Sequence, residues 1–335
     1  MFQLKPINNH LKYKIKTKNE KVFYDIIHHG ELFENIPSVR CMIIGPSGSG
    51  KTLCLENIMQ HFLTPKTNLF FVSSTKDYDQ KQKRIYKKQI KQLDKKDQVP
   101  HIVKVYDDGL SFAVIDDVLK IMIALDKIEK DIIKAKNTLK KKKGTPVVLL
   151  NRNAPKLKLK EDVKSTPNPI LEEEEQPHIK KFYAKHVVII DDADVNILNS
   201  IQLYNCWKKI RHFGGSIFAL SQSWNDFNKR LRSNSNVIIL CPGIPVDKLR
   251  DIYDEIIHKY PWIIFRMIYN HISKIIIENG KKKHDYLMIF RDSQNLRKNL
   301  NEDIIVKDET LSYYWNIQEN YHENEIMDEL QSDEE

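Results

Sequence analysis

Asp191 and Asp192 stand side by side at the end of VVII, four apolar residues in a row. Each carboxylate raises the cost of ionising the other. Such a pair marks either a turn, where Asp is common, or a place where a cation offsets the repulsion. A second stretch supplies the partner that the cationic reading needs. GPSGSGKT, residues 45 to 52, fits the spacing G-x-x-x-x-G-K-[ST] at Gly45, Gly50, Lys51 and Thr52. Glycines let such a loop bring its backbone N–H groups close to phosphate oxygens, and the helix that opens there adds its positive dipole end. Lys51 suits the β- and γ-phosphates, and the Thr52 hydroxyl suits Mg²⁺. Pro46, Ser47, Gly48 and Ser49 complete the cradle. ATP with Mg²⁺ is the ligand this chemistry asks for.

These residues need elements to hold them. Cys41-Met42-Ile43-Ile44 reads as a buried strand, Leu53 to Phe62 as a helix, and Asn68 to Ser74 as a second buried strand. Together they make a βαβ unit, which implies a parallel sheet. An acid on another strand must serve the cradle, and two pairs are available. Asp107-Asp108 follows HIVKVY, where Lys104 interrupts the apolar run as in an edge strand. Asp191-Asp192 follows VVII. The metal-holding strand is expected beside the P-loop strand and covered on both faces, hence apolar throughout. VVII meets that requirement and HIVKVY does not. Asp191 is therefore expected to hold Mg²⁺ through its water shell, and Asp192 to orient and deprotonate an attacking water.

SIFALSQ reads as the next strand, with Gln222 at its tip near the γ-phosphate, where its amide can hydrogen-bond that water. A helix is expected from about Ile197 to Arg211, a strand over NVIILC, a helix over PVDKLRDIYDEIIHKY and a late strand over HDYLMIF. Residues 116 to 139 carry apolar side chains at helical spacing, with Asp116 or Asp117 as the expected cap.

The chain has 335 residues, 41% hydrophobic and 30% charged, enough for one large α/β domain with insertions. Its formal net charge of +9 favours a polyanionic partner, although a lysine-rich surface alone gives the same sum. Cys41, Cys54, Cys206 and Cys241 form no CxxC pair and read as buried free thiols, which argues against a zinc knuckle. The N-terminus lacks the apolar core of a signal peptide, and no apolar run approaches the roughly 20 residues that span a bilayer. The expected organisation is a lead-in over 1–37, a P-loop domain over 38–290 with an insertion at 76–180, and a C-terminal segment over 291–335. Residues 140–180 of the insertion read as a flexible connector with a basic and an acidic block, and the segment's end as an acidic tail.

Taken in order, GPSGSGKT, VVIIDDAD, IRHFGGSIFALSQ and LRSNSNVIIL resemble the genome-packaging ATPases of the FtsK–HerA superfamily, in the poxvirus-type branch of large DNA viruses, virophages and polinton-like elements. Arg211-His212, Gln222 and Arg232-Ser233-Asn234 match positions of that pattern. The resemblance covers about residues 38 to 75 and 184 to 260. It implies an α/β fold, a P-loop NTPase with a RecA-like ASCE core around a central parallel sheet. It further implies a homo-oligomeric ring that hydrolyses ATP to drive double-stranded DNA into capsids, with capsid proteins as partners. Arg211 and Arg232 are the two candidates for a contact to a neighbouring subunit's γ-phosphate. Lys229, Arg230 and Arg232 can grip DNA phosphates without reading sequence. The implied location is the host cytoplasm, a viral factory or the virion, without secretion or a membrane. One departure stands out: bacterial translocases of the superfamily usually carry Glu where this chain has Asp192.

Other P-loop classes stay open. A helicase or replication-initiation ATPase shares the core and the DNA partner but usually brings a further nucleic-acid module. A nucleotide or nucleoside kinase needs an acceptor pocket and an Arg-rich lid, which the Lys-rich connector does not resemble. An ABC-type ATPase is disfavoured because no LSGGQ-like stretch separates the two motifs.

Overall fold

The computed structural model describes residues 2–6, 33–34, 36–62, 67–73, 103–106, 112–143, 185–191, 194–278 and 281–320. The expected readings of residues 76–98, Asp107-Asp108, the connector beyond residue 143 and the acidic tail lie outside these. In chain order, β1 (Phe2–Pro6), β2 (Arg40–Ile44), α1 (Lys51–Phe62), β3 (Asn68–Ser73) and β4 (Val103–Tyr106) come first. Next are α2 (Phe112–Lys143), β5 (His186–Asp191), α3 (Val195–Leu198), α4 (Ile201–Lys209) and β6 (Gly215–Ser221). Then follow α5 (Lys229–Asn234), β7 (Val237–Leu240), α6 (Val246–Ile256) and α7 (Trp262–Ile272). The last are β8 (Ile275–Glu278), β9 (Lys281–His284), β10 (Leu287–Phe290), β11 (Leu296–Lys298), β12 (Glu302–Val306) and α8 (Asp308–Asn320).

Among the described residues ten strands form one sheet in the order β1-β12-β11-β10-β7-β2-β6-β5-β3-β4. The run from β7 to β4 is parallel, and the run from β1 to β7 is antiparallel. The fold is thus α/β with a central parallel sheet, a P-loop arrangement with one additional strand between the P-loop strand and the acid-bearing strand. That strand corrects an expectation: β5 does not lie beside β2. Phe218 of β6 sits between them, opposite Cys41 on one side and Ile189 on the other. The apolar test selected VVII all the same, because it reports coverage of both faces and not adjacency.

Coverage follows from strand alternation. Met42, Ile44, Val188 and Ile190 point into one core with α2, α4, α6 and α7. Cys41, Ile43, Val187 and Ile189 point into the other, packed by Cys54, Leu55, Ile58 and Met59 of α1. β4 ends the described sheet, the edge place that its interrupted pattern predicts.

Several expected elements differ in their ends. α2 starts at Phe112, so Asp116 and Asp117 lie in its second turn and do not cap it. The single helix expected from Ile197 to Arg211 is broken in two. Ser200 accepts a hydrogen bond from Leu203 N–H at 3.1 Å and so starts α4 afresh. Beyond residue 290 the sheet continues: β10, β11 and β12 form a meander whose last strand pairs with β1. Residues of the lead-in and of the C-terminal segment therefore share one sheet with the P-loop strand.

Contacts divide the chain into two units, Met1–Met122 with Phe182–Glu335, and Ile123–Lys181. The first holds the sheet and the start of α2, whose Ile115, Val118 and Met122 are buried. In the second, the described part of α2 leaves Ile128, Ile132 and Ile133 exposed. No described helix is long and apolar enough to cross a membrane.

Candidate active site

β2 ends at Ile44, and at Gly45 the chain turns, its N–H donating to Ser221 O of β6 at 3.3 Å. A Cβ at Gly45 would lie 2.5 Å from Ser49 Oγ and 2.7 Å from Cys241 Cβ, so only a hydrogen fits between the loop and the end of β7. Gly50 has φ +93°, and a Cβ there would lie 2.5 Å from the His284 ring. Ser49 N–H donates to Pro46 O at 3.2 Å and closes the loop. α1 opens at Lys51, directing its first N–H groups toward the loop's mouth. The Lys51 ammonium donates to Gly45 O at 2.6 Å and Pro46 O at 3.0 Å.

The fit of this loop to a nucleotide's phosphates is carried by its backbone: Gly48 and Gly50, both at positive φ, lead directly into the first turn of α1, whose opening N–H groups are the donors that phosphate oxygens need. Ser49 Oγ, packed against Gly45, finds no hydrogen-bond partner among the described residues. The loop's floor is firm. Tyr269 OH, from α7, donates to Cys241 O at 2.8 Å and accepts from Ile244 N–H at 2.9 Å. Burial pushes its phenol up to about 12, so it stays a donor at neutral pH. Burial likewise holds the Cys41 and Cys54 thiols well above their ordinary value. These are packed thiols, not nucleophiles.

The parallel register brings the other parts to the same sheet edge. Ile44, the residue before the loop, pairs with Ser221, the residue before Gln222. Asp191 is the last residue of β5, one step beyond the pair Ile190–Ala219, and is buried. Two strand spacings separate β5 from β2, roughly 9–10 Å, which leaves room for a phosphate and a hydrated cation. Among the described residues no three His, Cys, Asp or Glu side chains gather as a metal site. Mg²⁺ needs only one or two protein oxygens beside phosphate and water, and Thr52 at the start of α1 and Asp191 at the end of β5 carry oxygens of that kind. Asp192 lies outside the described residues.

Gln222 is exposed, directly after β6. The Asp226 carboxylate holds the residues on both sides of it: the Ser221 hydroxyl donates to Oδ2, and Ser223 N–H donates to the same oxygen at 3.0 Å. Arg232 secures the same turn. Its Nε lies 3.2 and 3.0 Å from the two Glu255 oxygens, and its guanidinium lies 5.3 Å from the Trp224 ring centroid. It also donates to Asn225 Oδ1 and Phe227 O, both at 3.3 Å. Arg232 is thus committed within its own chain, with its side chain only 15% exposed. Lys229 and Arg230, one turn earlier, are exposed.

Arg211 is not brought to the cradle. It sits in the turn before β6, at the opposite end of a strand that spans roughly 20 Å. It is exposed there near Arg40, whose guanidinium pKa is lowered by burial first and by Arg211 second.

Asp226, Tyr269 and His284 escaped the sequence reading. Ser223-x-x-Asp226 is the spacing of a capping box and marks the first. Asn279-Gly280, a hairpin signal, marks the ribbon that carries His284. For Tyr269 no sequence signal exists.

No protein-family model matches the chain, and neither does any curated protein sequence. Among solved structures, it is similar to the genome packaging NTPase B204 from Sulfolobus turreted icosahedral virus 2 in complex with AMP. That match has 14% identity over 78% of this chain and 97% of that one, with a TM-score of 0.41. B204, the DNA-packaging ATPase from Sulfolobus turreted icosahedral virus, is similar at 13% identity over 78% and 97%, with a TM-score of 0.38. EssC (ATPases 2 and 3) from Geobacillus thermodenitrificans is similar at 13% over 85% and 43%, with a TM-score of 0.35. At that distance the site stands on its own geometry.

Proposed function

We propose that this chain is an ATP-hydrolysing motor that moves viral double-stranded DNA into capsids, a packaging ATPase of the FtsK–HerA superfamily in its poxvirus-type branch. The observation that carries the proposal is the convergence, at one sheet edge, of the Gly45–Thr52 cradle, Asp191 and the turn that presents Gln222. In this reading Lys51 exchanges the Gly45 and Pro46 carbonyls for phosphate oxygens when ATP enters. Thr52 and, through water, Asp191 would hold Mg²⁺, which would supply charge neutralisation to the phosphates. Asp192 takes the proton of the attacking water, and Gln222 orients that water from the turn that Asp226 fixes.

Arg211 is the residue we assign to the contact in trans. It is exposed and lies roughly 20 Å along β6 from its own cradle, so the cradle it serves belongs to another copy of the chain. That assignment requires a second copy of the chain, and the sequence resemblance implies that the copies form a homo-oligomeric ring. Arg232, bound to Glu255 and stacked on Trp224, is assigned to holding the Gln222 turn. Exposed Lys229 and Arg230, with the net charge of +9, give the polyanion its grip. Capsid proteins as partners, and a place in the host cytoplasm, viral factory or virion, follow from the sequence resemblance alone.

The ATPase rate with and without long double-stranded DNA tests this reading. Stimulation by duplex of any sequence is expected, fading between about 50 and 200 mM salt as counterion release weakens. Turnover indifferent to DNA, and triggered by a small phosphate acceptor, would replace the motor with a kinase.

A further inference from the structure

Between α7 and β10 the chain leaves the main sheet and makes a ribbon of its own, β8 antiparallel to β9. From Lys274 to His284 the sequence holds four lysines and one glutamate. Lys274, Lys282 and Lys283 are exposed, and so are Ile275 and Ile277, the latter at 71%. The register sets Ile277 opposite Lys282 and Ile275 opposite His284, so these four share one face of the ribbon. An isolated two-stranded ribbon is marginal in water, and two exposed isoleucines beside Lys282, with Lys283 exposed on the other face, gain nothing for the folded chain by themselves. The composition fits a surface that meets something.

The base of the ribbon is fastened to the phosphate cradle. His284 Nδ1 lies 2.9 Å from Ser49 O. A carbonyl only accepts, so Nδ1–H donates. The same ring occupies the space that a Cβ on Gly50 would need. Asp285 N–H donates to Lys274 O at 2.9 Å, closing the base. The buried Asp285 carboxylate is gripped by Lys298 Nζ at 3.4 Å and Asn299 Nδ2 at 2.9 Å, which ties the ribbon's foot to the end of β11. Any displacement of the ribbon therefore acts on the two residues, Ser49 and Gly50, that immediately precede Lys51.

We propose that the β8–β9 ribbon is a duplex-contact arm: its lysines grip the DNA phosphate backbone, and His284 relays that contact to the phosphate cradle. The inference rests on the functional reading above and deepens it by giving the duplex a place on the molecule. Charge complementarity selects the occupant. Lysines are point charges suited to phosphates irrespective of sequence, and a two-stranded ribbon has the width that a DNA major groove admits. His284 is a positioning residue in this scheme, acting on the loop and not on the nucleotide.

The test uses the full chain, a long fluorescent duplex and the ATPase assay. Lys274→Ala with Lys282→Ala and Lys283→Ala should weaken duplex binding at least about tenfold. Its plot of log affinity against log salt should flatten by about 2–3, since each phosphate contact contributes about 0.9 to the slope. His284→Ala should bind duplex as the wild type does yet lose the stimulation of ATPase by DNA. His284→Asn, which keeps an N–H donor toward Ser49, should retain that stimulation. A wild type that binds duplex no more tightly than the triple variant, with an unchanged salt slope, overturns the arm alone. So does a triple variant that loses self-association instead, because the ribbon then joins copies of the chain. A wild type that binds no duplex overturns the functional reading and the arm with it. Undiminished stimulation in His284→Ala overturns the relay.

Discussion

Lys51→Ala is expected to abolish ATP turnover, lowering it by at least about a thousandfold, the upper range for removing one charge-stabilising donor. The fold should survive. The Lys51 ammonium is bonded to two loop carbonyls, Gly45 O and Pro46 O, at the mouth of the cradle, where water can take its place. In the proposed function its contribution is to the developing charge on the phosphates, which an alanine cannot neutralise. Circular dichroism and thermal melting check the fold, and a coupled phosphate-release assay checks the rate. Ordinary turnover in this variant would remove the cradle assignment and everything built on it.

Asp192→Asn is expected to bind ATP with Mg²⁺ and to hydrolyse it at least about a hundredfold more slowly, the loss typical of a missing general base. Asp191→Asn should behave differently. Its carboxylate is buried at the end of β5, on the sheet edge that carries the cradle, so its loss should raise the Mg²⁺ concentration needed for turnover. The pair thus separates by titration: one variant is corrected by more metal and the other is not. Equal losses from Asp191→Asn and Asp107→Asn would show that the acid-bearing strand is not β5.

The parts of the site carried by local pattern were legible in the sequence. The cradle announces itself because loop, glycines and helix start are contiguous. VVII announces itself because a strand covered on both faces must be apolar at every position, and Val187 through Ile190 do divide between two cores. What depends on distant pairing was not legible. Strand order is one such property: β6 pairs with both β2 and β5, and no periodicity within any of the three records that. Arg232 is another. Its motif position was visible, but its partner Glu255 lies 23 residues away, on a different helix, so sequence alone left it level with Arg211. The pairing of β1 with β12 spans nearly the whole chain. His284 was passed over because its role comes from where a ribbon folds back, 235 residues beyond Ser49. The Asn-Gly signal for that ribbon was present and local.

In the proposed function, ATP hydrolysis moves this protein along duplex DNA. Displacement of a fluorescent third strand, bound in the major groove of a long linear duplex, measures that movement directly. Release of the third strand is expected to require ATP, to proceed on duplex of any flanking sequence and to vanish in Lys51→Ala. ATP hydrolysis stimulated by the same duplex, with the third strand left in place, would contradict it.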